Sequence, residues 1–213
     1  MKRIILTSVA ILLGLVINAQ TPFEKAIKES LLLLDSAKTT EDLQAVAGRF
    51  ERISMTETTR WEPVYHLAYV QINISFREKD NEKKDAILDL AEKNIEKAFN
   101  LNGDKSELFA LQGFVYQARI QGSMTRAMTY SPKAAEILEK AVQENPENPR
   151  ALFLLAQNIY YTPAMFGGGA KNALPKYIAA KEKFEKESKS NVLGPVWGEK
   201  INLRMIDTCS KEN

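Results

Sequence analysis

The chain has 213 residues, with 29 basic and 27 acidic side chains, one histidine and one cysteine. That inventory excludes an intrachain disulfide and a histidine-rich metal site, and a formal charge of +2 gives no long-range pull on nucleic acid. With 45% hydrophobic residues, the chain is long enough for one domain with its own core.

Lys2 and Arg3 precede a largely apolar stretch from Ile4 to Ile17, with the small Ala19 at its exit. A charged start, an apolar run shorter than a bilayer needs and a small exit residue predict a secretory signal peptide over residues 1–19. Losing Lys2 and Arg3 leaves 27 basic against 27 acidic residues. The exported chain is therefore expected to be neutral, free of membrane after cleavage, and periplasmic or extracellular. No cysteine lies near the junction to take a lipid.

From there every segment reads with a helical period, and no alternating run argues for a strand. Residues 23–36 place Ile27, Leu31 and Leu34 on one stripe. Thr39 and Asp42 suit a capping box for a second helix that buries Leu43, Val46, Phe50 and Ile53. Together these form an N-terminal hairpin over residues 20–60. Pro63 suits the first turn of a helix over 61–77. Further helices are expected over 83–100, 106–121, 132–144, 149–161 and 172–188, with Ser131-Pro132 and Asn148-Pro149 as start signals. A last helix over 195–209 places Trp197, Ile201 and Met205 on one stripe and Cys209 near its end. It forms a cap over residues 189–213.

Three of these helices carry one phrase: Ala91/Ile95/Ala98, Ala134/Leu138/Ala141 and Ala173/Tyr177/Ala180. The helix before each begins with a matching half, in Val64/Leu67/Ala68, Phe109/Gln112/Gly113/Tyr116 and Leu152/Leu155/Ala156/Ile159. A large residue followed by a small one lets two helices approach closely. Over residues 61–188 the chain resembles the tetratricopeptide repeat, and Asn145-Pro146-Glu147-Asn148-Pro149 is similar to that family's turn between repeats. The joint between repeats spans 11 residues twice, Ala98 to Phe109 and Ala141 to Leu152. Within repeats the chain departs from the family. The intervals Ala68–Ala91, Gly113–Ala134 and Ala156–Ala173 are all longer than the pattern. The resemblance implies three irregular repeats in an all-α, antiparallel helix-hairpin solenoid of about nine helices.

In such an array equivalent turns share one edge, so the added residues at 76–85, 121–131 and 162–172 are expected to form one surface. The first is helix-friendly. The other two carry Met124, Arg126, Met128 and Tyr130, and Met165 and Phe166 beside Gly167-Gly168-Gly169. The resemblance also implies that the first helix of each repeat lines a concave groove. Matching positions are Tyr65, Tyr69 and Asn73, then Ala110, Phe114 and Gln117, then Arg150, Phe153, Gln157, Tyr160 and Tyr161. Aromatic rings among amides and a guanidinium suit an extended peptide, although packing between neighbouring helices explains the same tyrosines.

Chemistry finds little support. The glycine run before Lys171 lacks the spacing and preceding strand of a phosphate loop. His66 has no acid or nucleophile at a recognisable spacing and reads as a helix-surface or groove histidine. Zinc and calcium spacings are absent, and no cofactor is implied. The reading is a monomeric, non-enzymatic scaffold or adaptor that holds a protein or extended peptide in its groove, with Met165 and Phe166 adding contacts. The alternative is a solute-binding protein with a small-molecule pocket closed by Tyr130, Tyr161, Met165 and Phe166.

Overall fold

A computed structural model describes residues 21–120, 122–187 and 193–212; the expected signal peptide and its cleavage site lie outside them. The described residues form nine α-helices and no strand: α1 (Pro22–Ser36), α2 (Thr40–Thr56), α3 (Glu62–Ser75), α4 (Asn81–Asn100), α5 (Lys105–Ile120), α6 (Met124–Glu144), α7 (Pro149–Tyr161), α8 (Ala170–Lys186) and α9 (Glu199–Glu212). None is long and apolar enough to cross a membrane.

Caps set the helix starts. Thr21 with Glu24, and Thr39 with Asp42, close reciprocal capping boxes on α1 and α2. Backbone N–H groups of Thr39 and Lys38 donate to the Asp42 carboxylate and hold its pKa below the usual value. Asn148 caps α7 through Oδ1, while its Nδ2 donates to Ser106 Oγ, which in turn donates to the Ala141 carbonyl. The turn between α6 and α7 is thus stitched to α5 and α6.

Successive helices pack as antiparallel hairpins, and α3, α5 and α7 also pack on one another as an inner layer. The repeated phrase is the seam of each hairpin: all nine of its residues are buried, from Ala91 through Ala180. Gly113 explains the need for a small partner, since a Cβ there would stand 2.5 Å from Leu138 Cγ and Cδ2. Three core clusters run along the solenoid, and Phe114 and Trp197 pack against both the central and the C-terminal one.

Four expectations are corrected. Helix α6 starts at Met124, not at 132; Ser123 is its cap and Pro132 lies inside the helix. Arg126, bonded to Asp85 on α4, holds the early turns in place. Of the added residues, 81–85 and 124–131 lie in α4 and α6, leaving short turns at 76–80 and 122–123, while 162–169 is a longer connection with a short 3-10 turn at Ala164–Phe166. Helix α9 starts at Glu199, not at 195, because Gly198 takes φ +105, a conformation open to glycine. His66 is not at the surface or in the groove but 1% exposed, stacked on Phe50.

Candidate functional site

Residues one turn apart on α3, α5 and α7 share the inner face of the solenoid, and they sort into two ends. At the end near the turns between repeats the side chains are buried and charged. Tyr65 donates to Glu107 Oε2 at 3.0 Å, and Arg150 Nε lies 2.9 Å from both Glu107 oxygens. The far edge of the guanidinium pairs with Glu187. Burial works against the Arg150 charge, but Glu107 and Glu187 more than offset it and raise its pKa. A cavity of about 310 Å³ adjoins this cluster, walled by Trp61, Asp104, Glu107, Arg150, Lys183 and Pro195, among others. Its charged walls are largely bonded to each other, Arg150 to Glu107 and Glu187 and Lys183 to Glu147. A network satisfied in this way rigidifies the packing of α5 against α7. Tyr65 and Arg150, expected to meet a partner, are enclosed here.

The other end is aromatic. The segment before α9 crosses the inner face, anchored where His66 Nε2 bonds the Leu193 carbonyl at 2.8 Å. Trp197 lies 4.7 Å from Tyr69 at an interplanar angle of 15° and 5.8 Å from Phe114 at 17°. Tyr69 and Phe114 are themselves 6.3 Å apart, and Phe76 is 5.4 Å from Phe114. Three near-parallel rings thus make one floor, with the indole laid across the two rings that the repeats supply. All three are half-buried. Burial pushes the Tyr69 hydroxyl up to about 12, so it stays neutral.

Amides flank this floor. Gln117 Nε2 donates to the Leu154 carbonyl at 2.8 Å, which joins α5 to α7, and Asn73 Nδ2 donates to the Tyr69 carbonyl. Gln117 Oε1 and Gln157 Oε1 are enclosed with no hydrogen-bond partner. Tyr160 donates to Glu212 of α9 at 2.8 Å and meets Tyr161 edge-on.

Tyr161, Met165 and Phe166 form an open lip, 70%, 83% and 71% exposed. The loop beneath them is tightly built. Gly169 N–H donates to the Ile159 carbonyl at 3.0 Å, and Asn172 Nδ2 donates to the carbonyls of Gly167 and Gly168. Tyr130 takes no part in this lip. It stacks on Tyr116, with the cationic heads of Arg119, Arg126 and Lys133 around its ring.

The sequence reading missed Trp197 and Phe76. The signal for Trp197 was present in Gly194-Pro195-Val196-Trp197-Gly198, where a proline and two glycines argue against the helix assigned there.

No family model matches the chain, and no curated protein matches it. Among solved structures it is similar to the HusA haemophore from Porphyromonas gingivalis. The two share 32% identity and superpose with a TM-score of 0.83, over 91% of this chain and 96% of the haemophore.

Proposed function

The chain belongs to the family of the HusA haemophore, and from that premise we propose that it is an exported carrier of haem, held noncovalently as cargo on the aromatic face. The observation that carries this reading is the floor of near-parallel Tyr69, Trp197 and Phe114 rings. Flat aromatic surface of that kind rewards a flat conjugated ligand by offset stacking. Small-molecule capture, second on sequence grounds, moves ahead of peptide binding for two reasons. The neighbour's name is that of a haemophore, and the part of the groove that a peptide backbone would follow is crossed by the protein's own 193–198 segment.

Capture by the two side chains commonest in iron ligation would need unfolding. His66 is enclosed and bonded to Leu193, and Cys209 is buried. Stacking and the lip therefore carry the affinity in this proposal, with Asn73, Gln117, Gln157 and Tyr160 as flanking polar groups and Tyr161, Met165 and Phe166 as the exposed apolar contacts. The repeat phrases support reading residues 61–188 as three tetratricopeptide-like hairpins, between the hairpin at 20–60 and the cap at 189–213. Export, to the periplasm or beyond, rests on the signal-like residues 1–19.

Titration of the mature protein with hemin tests this. A saturable change in the Soret band, reaching a fixed stoichiometry, is the expected result. Absence of saturable binding sinks it.

A further inference from the structure

We infer that Trp197, supplied from outside the repeats, is the residue of the floor on which the ligand rests, and that Tyr65 is its positioning residue. The inference rests on the haem-carrier reading above and goes further by naming the contact that decides affinity.

Geometry leads to it. With Tyr69 at 4.7 Å and Phe114 at 5.8 Å, both within 17° of parallel, the indole covers the faces that α3 and α5 turn toward the groove.

The indole is also fixed, which separates a floor from a removable plug. Trp197 Nε1 donates to Tyr65 Oη at 3.0 Å, and Tyr65 donates onward to the Glu107 carboxylate held by Arg150. The segment is tied upstream by Leu193 on His66 and packed downstream at Gly198, where a Cβ would stand 2.8 Å from Phe184 Cζ. Trp197 contacts both the central and the C-terminal core cluster. A ring restrained at its N–H, on its inner face and at both ends of its segment has given up its conformational freedom before the ligand arrives. Preorganisation of this kind raises affinity by removing the ordering cost from the binding step.

Tyr65 is enclosed and touches no ligand. Its part is to fix the rotation of the indole in its own plane. Replacing Tyr65 by Phe keeps the ring packing and removes the hydroxyl, both the acceptor for Trp197 and the donor to Glu107.

The experiment is hemin titration of wild type, Trp197→Phe, Trp197→Leu and Tyr65→Phe, following Soret absorbance and the circular dichroism induced in the Soret band. Far-UV circular dichroism and a thermal melt report folding separately. Loss of a stacking ring weakens binding about tenfold, so Trp197→Leu is expected to bind about tenfold more weakly, with Trp197→Phe between it and wild type. Tyr65→Phe is expected to lose less affinity but to change the induced circular dichroism, a signature of ring orientation that a merely structural role would leave alone. Should Trp197→Leu fail to fold, Trp197→Phe and Tyr65→Phe carry the test. Variants at position 197 that bind as tightly as wild type, or more tightly, overturn the floor and make the indole a plug. Unchanged induced circular dichroism in Tyr65→Phe overturns the positioning role. Wild type that does not bind hemin overturns the carrier reading itself, and this inference with it.

Discussion

Arg150 of α7 meets Glu107 of α5 through Nε at 2.9 Å from both carboxylate oxygens, with both residues almost wholly enclosed. The pair joins α5 to α7, and Glu187 and Tyr65 complete it. Charges taken out of water are tolerable only while every partner is present; removing one leaves the other buried and uncompensated, at a cost of about 3–5 kcal/mol. Arg150→Met is therefore expected to lower the denaturant midpoint severely, and Arg150→Met/Glu107→Gln to recover part of the loss. Chemical denaturation of the three proteins checks this. A single variant as stable as wild type would show that the pair is not the joint described.

His66 gives the stability a pH dependence. Burial lowers its pKa from 6.5 to about 4, although the bond to the Leu193 carbonyl pulls the other way. Between those values the unfolded chain binds a proton that the folded one refuses. Stability is thus full above about pH 6.5 and falls as the pH drops towards 4, by about 3 kcal/mol in all from this group. His66→Phe is expected to flatten that part of the profile, measured as the urea midpoint from pH 7 to pH 4. An equally steep fall in the variant would assign the slope to the carboxylates instead.

The repeated phrases were legible because they report packing. A small residue facing a large one at helical spacing has one common cause, the close approach of two helices. Every residue of Ala91/Ile95/Ala98 and its two counterparts is buried accordingly. The resemblance to the tetratricopeptide repeat implies an inner face that carries Tyr69, Phe114, Gln117 and Gln157. What the sequence could not show was how a segment far along the chain would lie on that face. Trp197 is 132 residues from Tyr65, and no local pattern records such a pairing. Pro132 misled for a related reason. A proline after serine is a good start signal, but here ion pairs from Arg126 to Asp85 hold a helix that begins earlier.

Cys209 should behave as packing and not as a reactive thiol. It is fully enclosed on α9, and burial raises its pKa, so little thiolate forms. Ellman's reagent is expected to leave it unmodified in native protein and to titrate one thiol in denaturant. Reaction in the native state, or a disulfide-linked dimer on a non-reducing gel, would contradict this.

The lip offers a way to separate binding from stability. A Cβ on Gly168 would fall 1.9 Å from the Thr162 carbonyl oxygen, so any side chain there must break the loop. Gly168→Ala is expected to disorganise residues 163–169 while leaving the buried seams of the solenoid intact. The side chains that the loop carries are different. Met165 and Phe166 are 83% and 71% exposed, and their replacement by serine removes little packing. Substitutions of that kind usually stay within about 0.5 kcal/mol of wild type. Met165→Ser/Phe166→Ser is therefore expected to melt like wild type and to release hemin faster, because the outer face of the ligand loses its apolar cover. Stopped-flow transfer of hemin to an excess of apomyoglobin measures that rate. An unchanged rate in the double variant would place the lip outside the site. A faster rate with an unchanged melting temperature would assign Met165 and Phe166 to retention of the ligand and not to the fold.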